Sequence, residues 1–196
     1  EIGNRSIDTF EDYWYQNISA IGIHQQNSVK MDISFKYEGD FISLLGSHRG
    51  ELRGSAYERY ISVNESEILP NVDLRMENRL QDVVRQGINT NLIKSAVNVS
   101  TGGLSIAIAK SLIVSNSGLG ARIHLSRKLK NEELLFGETQ GLVVVSLSEE
   151  DIMEFERICI TVGVPSTTIG RVTFNNLYAF NDLIKTKIDR LRDILN

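Results

Sequence analysis

The segment Val99-Ser100-Thr101-Gly102-Gly103-Leu104 brings together the residue types best suited to seating an anion. A strand-like run leads into a glycine pair, and a small-residue-rich apolar segment follows. Glycine lets the backbone approach a ligand closely, and the free amides of a helix start attract negative charge. The hydroxyls of Ser100 and Thr101 add donors. The chemistry served would be the binding of a phosphate or carboxylate. The competing reading is a tight turn in which glycine only lets helix and strand pack. A second candidate is Leu135-Phe136-Gly137-Glu138-Thr139-Gln140-Gly141, directly before an uncharged β-branched run. Glu138 and Gln140 would face a cleft at a strand end, or else belong to a solvated loop. A third, Gly3-Asn4-Arg5-Ser6, reads on its own as a polar, fraying stretch.

Other chemistries find little support. His24, His48 and His124 are far apart and lack metal-ligand spacing. Cys159, the single cysteine, sits in Ile158-Cys159-Ile160 and reads as a small buried hydrophobe; a lone thiol fits a reducing compartment. No nucleophile elbow, Walker loop or dinucleotide fingerprint is present. The charges of Glu132-Glu133 and of Lys185 to Asp193 read as solvated faces.

The elements that must position these residues follow from periodicity and punctuation. Phe41 to Gly46 is expected as a buried strand after the turn Glu38-Gly39-Asp40, and Ile18 to Ile23 as a looser one. Gly54 to Val63 reads as a short helix. Asp73 is expected to cap a helix that stops at about Gly87. Leu92 to Val99 leads a strand into the helix Leu104 to Ser115, whose apolar residues on nearly every side predict packing on more than one face. Gly141 to Leu147 reads as a buried strand. Ser148 is expected to cap a helix bearing Ile152, Phe155, Ile158 and Cys159, which stops near Gly163. Thr167 to Phe174 and Leu177 to Phe180 read as two strands joined by a left-handed Asn175-Asn176 turn. Asn181 is expected to cap a final amphipathic helix. The order from Gly141 onward is half of a split βαβ arrangement, so the fold class expected is α+β with a mixed sheet flanked by helices.

Composition agrees. The 196 residues are 41% hydrophobic and 23% charged, enough for a packed core. The net charge is −4 and the cations are scattered, which argues against nucleic acid as a partner. No run approaches the ~18 apolar residues of a membrane span. The first residue is Glu1 rather than methionine, so the chain is expected to be a portion of a longer one.

Several segments, read in order, resemble one family. They are Phe35 to Ile42, Gly50 to Tyr57, Val72-Asp73-Leu74, Ile93 to Leu104, Gly118 to Ala121 and Leu135 to Gly141. Together they are similar to the last quarter of the synthetase subunit of phosphoribosylformylglycinamidine synthase, in the superfamily of aminoimidazole ribonucleotide synthetase. The resemblance implies that residues 1–45 end an ATP-binding α/β half-domain and that residues 46–196 form the family's C-terminal α+β domain. It implies a cytoplasmic ATP-dependent carbon–nitrogen ligase of purine biosynthesis, with ATP and magnesium as cofactors. Its substrate would be formylglycinamide ribonucleotide, and its ammonia would come from glutamine. The implied partners are the rest of its own polypeptide, a glutamine amidotransferase subunit and a small bridging subunit. Carried over by resemblance, Gly3 contacts ATP, Asn4 lies at magnesium, and Ser6, Ser100, Thr101, Gly102 and Gly103 contact substrate. The family's catalytic histidines have no counterpart here, so the chain alone is expected to be inactive. Departures stand at Val97, Asn98, Thr101 and Leu142, where the family carries other residues, several of them ionisable. They leave open a second reading: a non-catalytic duplicate module that stabilises structure or nucleotide. The Leu135 to Gln140 stretch speaks against a hydrogenase-maturation or thiamine-monophosphate kinase relative.

Overall fold

The computed structural model describes residues 30–61, 70–116, 118–126 and 128–195. In chain order the elements are β1 (Phe41–Leu45), α1 (Ala56–Ile61), α2 (Leu74–Asn89), β2 (Ile93–Asn98), α3 (Gly103–Val114), β3 (Gly120–Ile123), α4 (Asn131–Phe136), β4 (Val143–Leu147), α5 (Ile152–Val162), β5 (Ser166–Thr173), β6 (Leu177–Phe180), β7 (Ile184–Lys187) and α6 (Ile188–Leu195). The strands form one sheet in the order β2-β4-β1-β5-β3-β6-β7. Only the β3–β6 pair is parallel. This is the expected α+β fold with a mixed, helix-flanked sheet.

Strand alternation builds two cores. Ile42 and Leu44 of β1, Val144 of β4, and Tyr178 and Phe180 of β6 face α3, α4 and α6. Leu45, Val143, Val145 and Leu147 point the other way, against Leu80 and Val83 of α2 and Phe155 and Cys159 of α5. Because α3 supports strands on one side and meets α4 and α6 on others, Leu104, Ala107, Ile108, Ala109 and Leu112 are all buried. That explains its apolar residues on nearly every side. β1 is hydrogen-bonded on both sides, to β4 and β5. Residues 41–45 are therefore part of this sheet, although the boundary expected at residue 45 places them upstream of it.

Asp73 caps α2, its carboxylate accepting from the amides of Arg75 (3.0 Å) and Met76 (3.1 Å). Asp73→Ala should cost about 1 kcal/mol, or roughly 2–4 °C in Tm for a chain of this size. Calorimetry checks it, and an unchanged Tm would mean that packing alone holds the helix start. Gly87 does not end α2. It lies inside the helix, where an added Cβ would come within 2.7 Å of Ile93 and Phe155. The stop comes later, at Thr90 and the left-handed Asn91 (φ 59).

Other differences lie toward the C-terminus. α5 starts at Ile152 with Asp151 as its cap residue, and the Ser148 hydroxyl donates to the Asp151 carboxylate instead of capping amides. Asn176 does adopt a left-handed turn (φ 52), yet β5 and β6 are not neighbours, because β3 lies between them. Asn181 caps no helix. Its side chain accepts from the Leu125 amide (3.0 Å) and donates to the Leu125 carbonyl (3.1 Å). Ile184 to Lys187 form β7 before α6 begins at Ile188. The strand expected at Ile18 to Ile23 lies outside the described residues.

Candidate functional site

The candidate turn sits where β2 hands the chain to α3. The Val99 amide still donates to the Leu142 carbonyl just ahead of β4 (3.0 Å), and the Gly103 amide closes the turn on the Ser100 carbonyl (2.9 Å). Gly102 and Gly103 both have positive φ, 92° and 74°. An added Cβ at Gly103 would lie 2.5–2.8 Å from the backbone of Phe136. Glycine at 103 is therefore required by the close passage of the α4 end, independent of any ligand. Ser100 and Thr101 are exposed, Gly102 is half-buried and Gly103 is buried.

The Gly102 amide is already engaged. Glu138 Oε1 accepts from it at 2.8 Å and from the Ala56 amide, at the start of α1, at 2.9 Å. One internal carboxylate thus joins two helix starts, where the partial positive charge of the amides favours it. Glu138 is placed by the end of α4: its own amide donates to the Glu51 carbonyl (2.8 Å), and Gly137 passes tightly against Gly50. Thr139 is fully buried, and its hydroxyl oxygen accepts from the amides of Arg49 (3.2 Å) and Glu51 (3.4 Å). Tyr57 stacks on Phe136 with ring centroids 4.9 Å apart. The stretch read as a cleft rim or solvated loop is in fact the dock for residues 48–57. Gln140 is exposed, its side-chain amide donating to the Glu138 carbonyl at 3.4 Å.

The structure therefore brings Ser100, Thr101, Gly102 and Gly103 together with Glu138 and Ala56, a partnership sequence reading did not reveal. Gly3, Asn4 and Ser6 lie outside the described residues. Of the departure positions, Val97 and Leu142 are buried and Asn98 is exposed. Among the described residues, no group of three or more His, Cys, Asp or Glu could hold a metal ion. Burial pushes the Cys159 thiol up to about 11, which leaves it protonated and a poor nucleophile at neutral pH. Burial likewise raises the Tyr178 phenol, which donates to the Ser105 carbonyl at 3.0 Å. A groove of about 790 Å³ lies between α2 and the β2 side of the sheet, lined by Met31, Leu80, Val84, Asn98 and Val143. Residues 100–103 do not line it. No helix among the described residues is long and apolar enough to cross a membrane.

A seven-stranded mixed sheet with α3 opening at a glycine turn defines an α+β domain whose polar loops gather at one strand end. Residues 37–179 match the family described as AIR synthase related protein, C-terminal domain. The chain belongs to that family. Its sequence is 30% identical over 180 residues to phosphoribosylformylglycinamidine synthase subunit PurL of Alkaliphilus metalliredigens, covering 90% of this chain and 24% of the relative. It is 33% identical over 158 residues to the PurL of Symbiobacterium thermophilum, covering 80% of this chain and 20% of the relative. The chain thus spans about a quarter or less of the length of these curated relatives. Among solved structures, Thermotoga maritima PurL complexed with FGAR shares the fold, with a TM-score of 0.73 at 17% identity over 85% of this chain and 30% of that one.

Proposed function

We propose that this chain is the C-terminal portion of the synthetase subunit of phosphoribosylformylglycinamidine synthase, working as part of an ATP-dependent carbon–nitrogen ligase. The observation that carries this is the sequence likeness to PurL proteins across nine-tenths of the chain. In the proposed reaction, ATP phosphorylates the amide oxygen of formylglycinamide ribonucleotide and ADP leaves. Ammonia derived from glutamine then adds to the amide carbon and gives up a proton, and the carbon–oxygen bond breaks so that phosphate departs and the amidine remains. A glutamine amidotransferase subunit and a small bridging subunit would supply the ammonia in a cytoplasmic complex.

Within this reading, the exposed hydroxyls of Ser100 and Thr101 donate to the ribonucleotide phosphate. Gly102 and Gly103 hold the turn that presents them. The Gly102 amide is left out of that contact because Glu138 holds it. Gly3 would approach ATP, Asn4 would hold magnesium and Ser6 would touch substrate. Magnesium would offset charge on the ATP phosphates.

The test places residues 37–179 into full-length Alkaliphilus PurL in exchange for the matching segment. The chimera should form amidine from the ribonucleotide, ATP and ammonia. Ser100→Ala with Thr101→Ala in that chimera should raise KM for the ribonucleotide roughly tenfold and leave kcat nearly unchanged, the size expected for losing a charge-assisted hydrogen bond. A folded chimera that makes no amidine would overturn the enzyme reading. An unchanged KM would remove the two hydroxyls from the site.

A further inference from the structure

The two halves of one sheet face differ sharply. On the side of α2 and α5, those helices cover β2, β4 and β1 with Leu80, Val83, Phe155 and Cys159. On β5, β3 and β7, the same side presents four exposed basic residues, Arg171, Arg122, Lys185 and Lys187. Arg171 of β5 pairs with Arg122 of β3, Arg122 with Ala179 of β6, and Ala179 with Lys185 of β7. Paired residues share a face, so one row across the strands reads Arg171, Arg122, Ala179, Lys185. Phe41, also paired with Arg171, fixes which face this is: it pairs with Leu147 of the α2–α5 core, and the Arg171 guanidinium lies 3.7 Å from its ring centroid. Lys187 and Leu177 form the next paired position on that side. Arg122, Arg171, Lys185 and Lys187 are all exposed. Strand spacing puts Arg171 and Arg122 roughly 5 Å apart and Lys185 about 10 Å further on.

No strand of this half contains an acid. Glu149 reaches Arg171 from outside it, at 3.2 Å, and is itself largely exposed. Two arginines directly opposite each other on neighbouring strands repel, a cost that a bound anion would remove. The chain as a whole is acidic, yet the fold aligns Arg122, Arg171, Lys185 and Lys187 on this one face.

We infer that the β5-β3-β6-β7 face is a docking surface for an acidic polypeptide segment. The array extends across four strands, which fits a surface and not a small metabolite. Carboxylates suit paired guanidinium groups geometrically. Leu177 and Ala179, between the basic strands, offer apolar contact and no ring, and the Phe41 ring on this face is already covered by the Arg171 guanidinium, so the stacking platform that a single-stranded nucleic acid needs is poor. The inference is independent of the ligase reading.

The experiment measures fluorescence anisotropy of a labelled oligoglutamate against the whole chain, beside an oligothymidylate of matched charge. Oligoglutamate should bind at low salt and weaken as salt rises. Arg122→Glu with Lys185→Glu should weaken it at least tenfold, and Arg85→Glu on α2 should not. Arg122→Glu gains a cross-strand partner in Arg171, so its Tm should hold or rise by about 1–2 °C. Should that double variant fail to fold, Lys185→Glu with Lys187→Glu on the edge strand takes its place. No binding by the unaltered chain, tighter binding of oligothymidylate, or equal loss in Arg85→Glu would each overturn the inference.

Discussion

Gly103→Ala should lower the melting temperature of this chain by about 10 °C. Two costs combine. An alanine at a φ of 74° carries backbone strain of order 1–3 kcal/mol. Its methyl group would also press on the Phe136 carbonyl carbon, Cα and oxygen, at 2.5, 2.6 and 2.8 Å. Those atoms are backbone at the end of α4, so no rotamer change relieves the contact. Overpacking of this kind costs about 1–3 kcal/mol more. Together they come to about 2–6 kcal/mol, whose middle corresponds to roughly 10 °C for a chain of this size. Gly39→Ala separates the two costs, since Gly39 has a φ of 89° and nothing within 4 Å of an added Cβ. It should show the strain alone. Equal losses in the two variants, read by thermal denaturation, would refute the claim that Gly103 is fixed by α4.

The glycine turn was legible because its cause is local. A strand, two glycines and an apolar helix lie in one stretch, and that stretch folds as the pattern indicates. The same holds for β1, β4 and the capped start of α2, each marked by a strong apolar run or a side-chain cap. Where signals were short or weak, reading failed. β3 is the four residues Gly-Ala-Arg-Ile, with one β-branched side chain and an arginine in the middle. Nothing in so short a run announces a strand, and yet it separates β5 from β6. The Asn175-Asn176 turn was real, but a turn fixes only the local reversal of the chain and not which strand lies alongside. Ile184 to Lys187 fit a helical period with the residues that follow as well as they fit a strand. Their strand state comes from pairing with β6. The basic face was invisible for a related reason. Arg122, Arg171 and Lys185 are far apart in sequence, and only sheet register aligns them. The family resemblance was readable because it needed the order of many weak motifs, not the strength of one.

Glu138→Ala should destabilise the chain by about 2–3 kcal/mol, the second largest effect expected. The carboxylate accepts from the Gly102 and Ala56 amides, and those two residues belong to segments separated by more than forty positions. Removing it leaves two helix-start donors without their acceptor. Hydrogen bonds to a charged group contribute about 1.5–3 kcal/mol each, but both amides are part-buried, so water recovers a share and the sum falls short of double. Glu138→Gln keeps an oxygen at the same reach and loses only the charge-assisted part, so it should cost about 1 kcal/mol. The pattern across three proteins is the test: urea unfolding should rank the unaltered chain above Glu138→Gln and that above Glu138→Ala. Hydrogen exchange at the Ala56 and Gly102 amides should accelerate in the alanine variant far more than at β4. If the two variants are equal, the charge is irrelevant and Glu138 acts through its packing. If neither differs from the unaltered chain, residues 48–57 are held by Thr139 and by the Tyr57–Phe136 stack, and the carboxylate is a passenger. The expected ranking would show that the glycine turn is held by a carboxylate of the chain's own. The positive ends of α1 and α3 are satisfied from within, so the turn keeps its shape with no ligand to hold it.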